Sequence, residues 1–367
     1  MLFYLTKTLV VDNNNPQKKN ICTAIHNISM QVINGCHLLR GDYEAIAFFR
    51  NIFKDTPDVG LLFDNIYQNF ATMSVPSFLN FYVEVVIDNP TIKAVNGVTV
   101  GQRCYRHYLG MDVIGKTQLI CEDLYDCKFF EHILQWYIGQ EHLNVGYSFH
   151  SLNGGGDNTY RVVLNEVNAQ HISICIVDTD KRYPNSKPKE DSTFSQCTNK
   201  VLTTDIEYKF LPLEVHEIEN LVPLNYIDAF DIWNSGLPND AVHKRAFDCL
   251  RSEGEAILPY FDYKKGIKKK DVLASQEYWS FAEKCYRTNA EKLAADPCFR
   301  TYVDKVSNGE IYPQLLGGTG TIKNTLKLID SGKAPKPELL TFQRNNWNTI
   351  GKAMLDWCIA RKSEALT

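Results

Sequence analysis

What the chain lacks narrows its function before anything it contains does. Its eleven cysteines include no Cys-x-x-Cys pair, which removes zinc ribbons and argues against a disulfide framework. Its nine histidines show no His-x-x-x-His spacing, so a helical histidine metal site is not expected. No apolar run approaches the length that crosses a bilayer, so no membrane partner is expected. The opening Met1-Leu-Phe-Tyr-Leu-Thr-Lys has no charged segment before its apolar residues, so a secretory signal is not expected either. Two glycine clusters, Asn153-Gly-Gly-Gly-Asp157 and Gly317-Gly-Thr-Gly320, lack the Lys-Ser/Thr of a nucleotide-binding P-loop. Repeats and low-complexity segments are absent, and a net charge of −4 carries no overall basic signature.

What remains is an ordinary globular balance over 367 residues, 44% hydrophobic and 22% charged, enough for two or three domains. Cys121, Cys127 and Cys175 sit in apolar surroundings, where reduced thiols pack as small hydrophobes. A reducing, cytoplasmic location is expected. The first 224 residues hold 18 basic and 25 acidic side chains; the remainder holds 21 and 18. An acidic body with a mildly basic C-terminal part fits an enzyme acting on a phosphodiester, and equally fits chance asymmetry.

The rhythm of the chain changes twice. Residues 1–115 read as a mixed α/β region without evident chemistry: Gly41–Phe53 has helical spacing, and Phe78–Ile87 reads as a strand or a buried helix. His37, Arg40 and Glu44 fit solvated-surface roles there, with a functional role as the alternative. Residues 116–224 alternate strands and helices. Thr117–Cys121 is a strand, Leu124–Tyr137 a helix, and Val145–Phe149 a strand. The Asn153–Asp157 glycine loop and a helix through Leu164 follow, then the apolar strand Ile172–Val177, a polar loop Lys181–Asn199 and a strand from Tyr208. This order predicts an α/β core, a mostly parallel sheet flanked by helices, with ligand sites at the C-terminal strand ends. Residues 225–367 read as an α-rich C-terminal region with helices at His243–Ile257, Gln276–Leu293 and Trp347–Ala360.

Candidate chemistry gathers at three strand ends. Ile172-Ser-Ile-Cys-Ile-Val runs straight into Asp178-Thr-Asp180, and strand alternation would point both carboxylates one way. Like charges beside a core are costly unless a cation neutralises them. Glu122, with Asp126 one helical turn on, closes the first strand; Glu217 and Glu219 form a third acidic pair. Carboxylates converging from separate elements are what Mg²⁺ or Mn²⁺ requires. Glu122, Asp178, Asp180, Glu217 and Glu219 are therefore the candidate metal ligands. Glu84 is a rival for the first strand. The Asn153–Asp157 loop fits a phosphate cradle or a plain strand-to-helix turn, and His216 fits a base or a structural role.

The order of these motifs resembles the TOPRIM domain. Glu122-Asp-Leu-Tyr-Asp126 looks like its glutamate motif, and Ile176-Val-Asp-Thr-Asp180 like its Asp-x-Asp strand. Glu217-Ile-Glu-Asn-Leu221 is similar to an acidic motif of the OLD-related nucleases and of stand-alone TOPRIM effectors of antiphage systems such as PARIS. Asp262-Tyr-Lys-Lys-Gly266 looks like the Asp-x-Lys-x-Gly segment that follows. The resemblance spans roughly residues 116–270 and departs from the family at Asp123, which stands where the family carries glycine. It implies a Mg²⁺-dependent endonuclease of DNA or RNA, a toxic effector in antiphage defence, with Glu122, Asp126, Asp178, Asp180, Glu217 and Lys264 as catalytic residues. A restraining or activating partner protein, or a homo-oligomer, is implied with it. Lys264 opens the run Lys264–Lys270, which also fits a grip on the nucleic-acid backbone or a solvated face. Two alternatives are an Asp-x-Asp phosphotransferase (a phosphatase or sugar-nucleotide transferase) and a catalytically degenerate binding or sensor protein.

Overall fold

The computed structural model describes residues 1–72, 74–203, 205–229, 257–264, 267–268, 275, 310–312 and 320–362. The expected helix Gln276–Leu293 and nearly all of His243–Ile257 lie outside them, as do most of the Lys264–Lys270 run and of the loop Gly317–Gly320. The chain divides into two compact units. The first comprises residues 1–176, 200–211 and 349–367; the second comprises 177–199 and 212–348.

Residues 1–115 contain a sheet of their own. Five strands, β1 (Leu2–Leu5), β2 (Leu38–Gly41), β3 (Phe81–Val86), β4 (Ile92–Val95) and β5 (Val98–Cys104), are ordered β2-β1-β3-β5-β4. The first four in that order run parallel, and β4 turns back antiparallel on β5. Phe78–Ile87 thus resolves to a strand. Leu2, Phe3, Leu5, Val83 and Val85 are fully buried, as parallel strands covered by helices require. The β4–β5 hairpin closes through Asn96 (φ +50°) and Gly97 (φ +82°), the Asn-Gly pair that a two-residue turn with two positive φ angles favours. Helix α1 (Lys18–Ile33) buries Ile21, Ala24, Ile25, Ile28 and Val32. Helix α2 (Tyr43–Phe53) buries Ala45, Ile46, Phe49 and Phe53, and packs on α3 (Pro57–Gln68). Both apolar patterns recur at three- and four-residue intervals.

A second sheet follows in the order β10-β9-β6-β8, with β6 (Thr117–Cys121), β8 (Phe149–Asn153), β9 (Ser173–Val177) and β10 (Tyr208–Pro212). β6 is parallel to both β8 and β9. The short β7 (Gly146–Tyr147) instead pairs antiparallel with Ile359–Ala360, so the expected strand Val145–Phe149 is divided between two partners. Helix α4 (Leu124–Gln140) buries Cys127, Phe129, Phe130, Ile133, Leu134 and Tyr137, and α5 (Thr159–Asn168) buries Val163. The architecture is α/β, mostly parallel sheet flanked by helices, and no described helix is long and apolar enough to cross a membrane. One loop expectation is corrected: residues 193–200, within and just past the expected loop, form the helix Thr193–Lys200. The helix expected at Trp347–Ala360 begins earlier, at Thr341, and ends at Cys358.

Candidate metal centre

The chain leaves β9 at Val177, and its continuation is held by a strand-like run of contacts to residues 213–218. Val177 C=O accepts from Leu213 N–H (3.0 Å), Thr179 Oγ1 donates to Val215 C=O (2.7 Å), and Asp180 N–H donates to His216 C=O (2.9 Å). Asp178 Oδ1 accepts from Ile218 N–H at 2.9 Å. Thr179 is buried, Asp178 half-buried and Asp180 exposed. Asp180 has φ +54°, so strand alternation does not govern this pair. That corrects the expectation that Asp178 and Asp180 share a direction by belonging to one strand.

Asn220 organises the next layer. Its Oδ1 accepts from Glu217 N–H (3.0 Å), and its Nδ2 donates to Leu258 C=O (2.7 Å) and Phe261 C=O (2.9 Å). One buried amide thereby ties the acidic segment 217–219 to the segment carrying Asp262 and Lys264. Gln343 Nε2 donates to Asn220 C=O (3.1 Å) and Val222 C=O (2.8 Å), and Trp347 Nε1 donates to Leu221 C=O (2.9 Å). Backbone carbonyls that would be orphaned in this irregular segment are satisfied from one helix.

The result is a group of three carboxylates. One oxygen each from Asp178, Glu217 and Glu219 lie within 4.8 Å of one another. Glu217 and Glu219 are 7% and 5% exposed, and Glu217 Oε1 and Glu219 Oε2 have no hydrogen-bond partner among the described residues. Lys264 Nζ lies 2.8 Å from Glu219 Oε1 and 3.2 Å from Glu217 Oε2. Burial, then the adjacent Glu219, pushes the Glu217 carboxyl up to about 8, although Lys264 pulls the other way. Burial lowers Lys264, but Glu219 and Glu217 outweigh it and hold the ammonium well above its usual range.

A second group shares Glu217: His216, Glu217 and Asp262 also bring ligand atoms within 4.8 Å. Asp262 is buried, with Arg182 Nη2 at 2.9 Å and His216 Nε2 at 3.5 Å from its Oδ2. Its Oδ1 accepts from Lys264 N–H at 3.0 Å. His216 Nδ1 faces the Lys181 carbonyl at 3.0 Å. With both ring nitrogens engaged and almost no exposure, His216 has the surroundings of a positioning residue.

The first strand end belongs to the first unit and is built differently. Asp123 is the N-cap of α4: its Oδ1 accepts from Tyr125 N–H (2.8 Å), and Asp126 Oδ2 accepts from Asp123 N–H (3.0 Å). This capping box gives both aspartates a structural task, and gives a local reason for aspartate at 123. Glu122 is half-buried, and its carbonyl accepts from Gly155 N–H (3.0 Å) and Gly156 N–H (3.4 Å). Gly154 N–H donates to Cys121 C=O at 2.7 Å. These N–H groups of the glycine loop are spent on the strand end rather than turned to a phosphate. Gly154 sits so close that a Cβ would meet the Cys121 carbonyl oxygen at 2.8 Å. The loop is the plain turn of the two readings. Glu84 is occupied by Lys93 Nζ (2.8 Å) and Gln102 Nε2 (2.9 Å) within the first sheet.

Of the expected site residues, Asp178, Glu217, Glu219 and Lys264 come together. Asp180 is not a member of either group, and Glu122 and Asp126 belong to the first unit. Asn220 and Arg182 were not singled out by sequence; Asp262 was, though only as a motif position. No protein-family model, no curated protein and no solved structure matches the chain.

Proposed function

We propose that the Asp178–Glu217–Glu219 group is a divalent-cation site serving phosphodiester hydrolysis, with Mg²⁺ or Mn²⁺ as the ion and DNA or RNA as the substrate. The observation that carries this is a pair of buried glutamates, each with an unpartnered oxygen, beside a third carboxylate. The donor set fits such an ion: all three ligands are hard oxygens. Ionised, three carboxylates and the Lys264 ammonium sum to −2, the charge one divalent ion balances. An ion held there would polarise a phosphate oxygen and lower the pKa of an attacking water.

The chain's own groups have separable tasks in this reading. Glu217 and Glu219 hold the ion. Asp178 completes the set, its orientation fixed by Ile218 N–H. Lys264 is held protonated between the glutamates and supplies positive charge toward a phosphate. Asn220 and Asp262 position the segment on which Lys264 sits. The TOPRIM-like order of motifs supports the same chemistry, and the role of toxic effector in antiphage defence, with a partner protein or self-assembly restraining it in the cytoplasm, rests on that resemblance. One observation favours a second reading: Lys264 already pairs with both glutamates, as it would in a degenerate site that binds without turnover.

A cleavage assay on plasmid, single-stranded DNA and total tRNA with Mg²⁺ or Mn²⁺ separates the readings. Asp178→Ala and Glu219→Ala should lose roughly 10³-fold or more of the activity, since each removes a ligand worth several kcal/mol in the transition state. Glu122→Ala and Asp180→Ala test the remaining sequence-derived ligands. Full cleavage by Asp178→Ala and Glu219→Ala would refute the assignment. Cation binding by the wild type without cleavage of any substrate would favour the degenerate site.

A further inference from the structure

The first unit holds a cavity of about 440 Å³, inside the range of roughly 300–1,000 Å³ typical of small-molecule sites. Its floor comes from β3 and β5 (Phe81, Thr99), one wall from β10 (Tyr208, Lys209) and the other from the helix Thr341–Cys358 (Lys352, Trp357). Phe81 and Trp357 stack at 4.2 Å with 12° between their planes. The polar groups are unequally matched. Asp356 points its Oδ1 at Asn80 N–H (2.9 Å) and its Oδ2 at Asn80 Nδ2 (3.4 Å), so the one carboxylate is already engaged by protein donors. Lys209 Nζ stands 5.9 Å over the Trp357 ring, and Lys352 is exposed beside it on the helix. Neither ammonium forms a close ion pair among the described residues, although Lys352 is near enough to Asp356 to favour its ionised form. At the mouth, Ile92 of the edge strand β4 is 61% exposed, an apolar side chain that a seated ligand would cover.

Two ammonium groups without close ion pairs, over an aromatic and aliphatic wall, select a ligand rich in acceptors and carrying a flat apolar body. Thr99 and Thr349, both exposed, add hydroxyls that both donate and accept, suited to a sugar or a base edge. We propose that this cavity binds a mononucleotide, with Lys209 and Lys352 on its phosphate and the Phe81–Trp357 side against its base. The site is independent of the carboxylate centre: its lining residues all belong to the first unit, and no metal ligand is among them.

The test is calorimetric titration of the full chain with AMP, GMP, CMP and UMP in the presence of a chelator, which silences the carboxylate centre. At least one mononucleotide should bind with a matching change in tryptophan fluorescence. Adenosine, which lacks the charge, and inorganic phosphate, which lacks the body, should each bind at least ~10-fold more weakly. The double substitution Lys209→Glu, Lys352→Glu should weaken binding by a similar factor while leaving the unfolding temperature of the unliganded protein near that of the wild type. Ala353→Phe, which narrows the cavity without touching charge, should weaken binding at least as much. Equal affinity in the wild type and both variants would place the nucleotide elsewhere, and silence with all four nucleotides would overturn the proposal.

Discussion

Two buried acidic clusters in this molecule are alike in composition and opposite in design. In the first unit, Glu207 is 2% exposed, yet both of its oxygens are engaged. Oε2 receives Arg103 Nε (3.2 Å) and lies 2.9 Å from His107 Nε2, while Oε1 accepts from Tyr108 OH (2.5 Å). Asp205 takes the other side of the Arg103 guanidinium and accepts from Glu207 N–H. Burial alone would raise the Glu207 carboxyl, but His107, Arg103 and Tyr108 outweigh it and hold it below the ordinary value. In the second unit, Glu217 and Glu219 are also buried and share a single lysine, Glu217 forms a capping box with Asn220, and each glutamate keeps one unpartnered oxygen. The lesson is that burial of a carboxylate says little by itself. A satisfied one ties segments together, and an unsatisfied pair carries a cost that folding does not explain.

The comparison is tested most severely by removing the satisfied carboxylate. Glu207→Ala strands the Tyr108 hydroxyl and leaves Arg103 with Asp205 alone, and should destabilise the protein by about 3–5 kcal/mol in chemical denaturation, with no effect on divalent-cation affinity once the folded fraction is allowed for. The unsatisfied carboxylate should behave in the opposite way. Glu217→Gln removes buried like charge and should stabilise the metal-free protein by about 1–3 kcal/mol at pH 9.

The pH dependence follows with opposite signs. The Glu217 carboxyl, raised from 4.5 to about 8, binds a proton in the folded state that the unfolded chain has released. Its contribution is fully present below pH 4.5 and is lost as pH rises to about 8. Glu207, held below its ordinary value, contributes above that value and loses its contribution as pH falls through the folded pKa. Unfolding temperatures measured in a chelator from pH 2 to 9 should therefore lose their decline toward pH 8 in Glu217→Gln and their decline below pH 4.5 in Glu207→Gln. The smallest effect concerns the cap. Asp126→Ala should cost about 0.5–2 kcal/mol of stability and leave cleavage per folded molecule unchanged, because its carboxylate serves the start of α4. A large loss of cleavage at unchanged stability would return Asp126 to the catalytic set.

How much of this was legible in sequence depends on how local each feature is. β6 has the boundaries read from its apolar run, and α4 begins where its periodicity does. The sheet in residues 1–115 was hidden because β1 and β2 are four residues each and pair across a whole helix, a contact that no short window contains. The acidic residues 178, 217 and 219 were visible as chemistry without a partner list. Which of them meet is decided by Asn220, a single amide whose partners lie about 40 residues downstream. The pairing of Asp180 with Asp178 carries strand alternation past the end of the strand, where the backbone turns left-handed. The cavity is likewise composed of β3, β4, β5, β10 and a C-terminal helix, and no stretch of sequence announces it.

The central claim, that the unpartnered glutamates exist for a divalent ion, is reached most directly by titrating the metal-free wild type and the isosteric double variant Glu217→Gln, Glu219→Gln with MgCl₂ and MnCl₂ at pH 8. The account predicts saturable one-site binding by the wild type and at least ~10-fold weaker binding by the variant, at equal folded fraction. Identical isotherms for the two proteins, or no binding by the wild type, would contradict it.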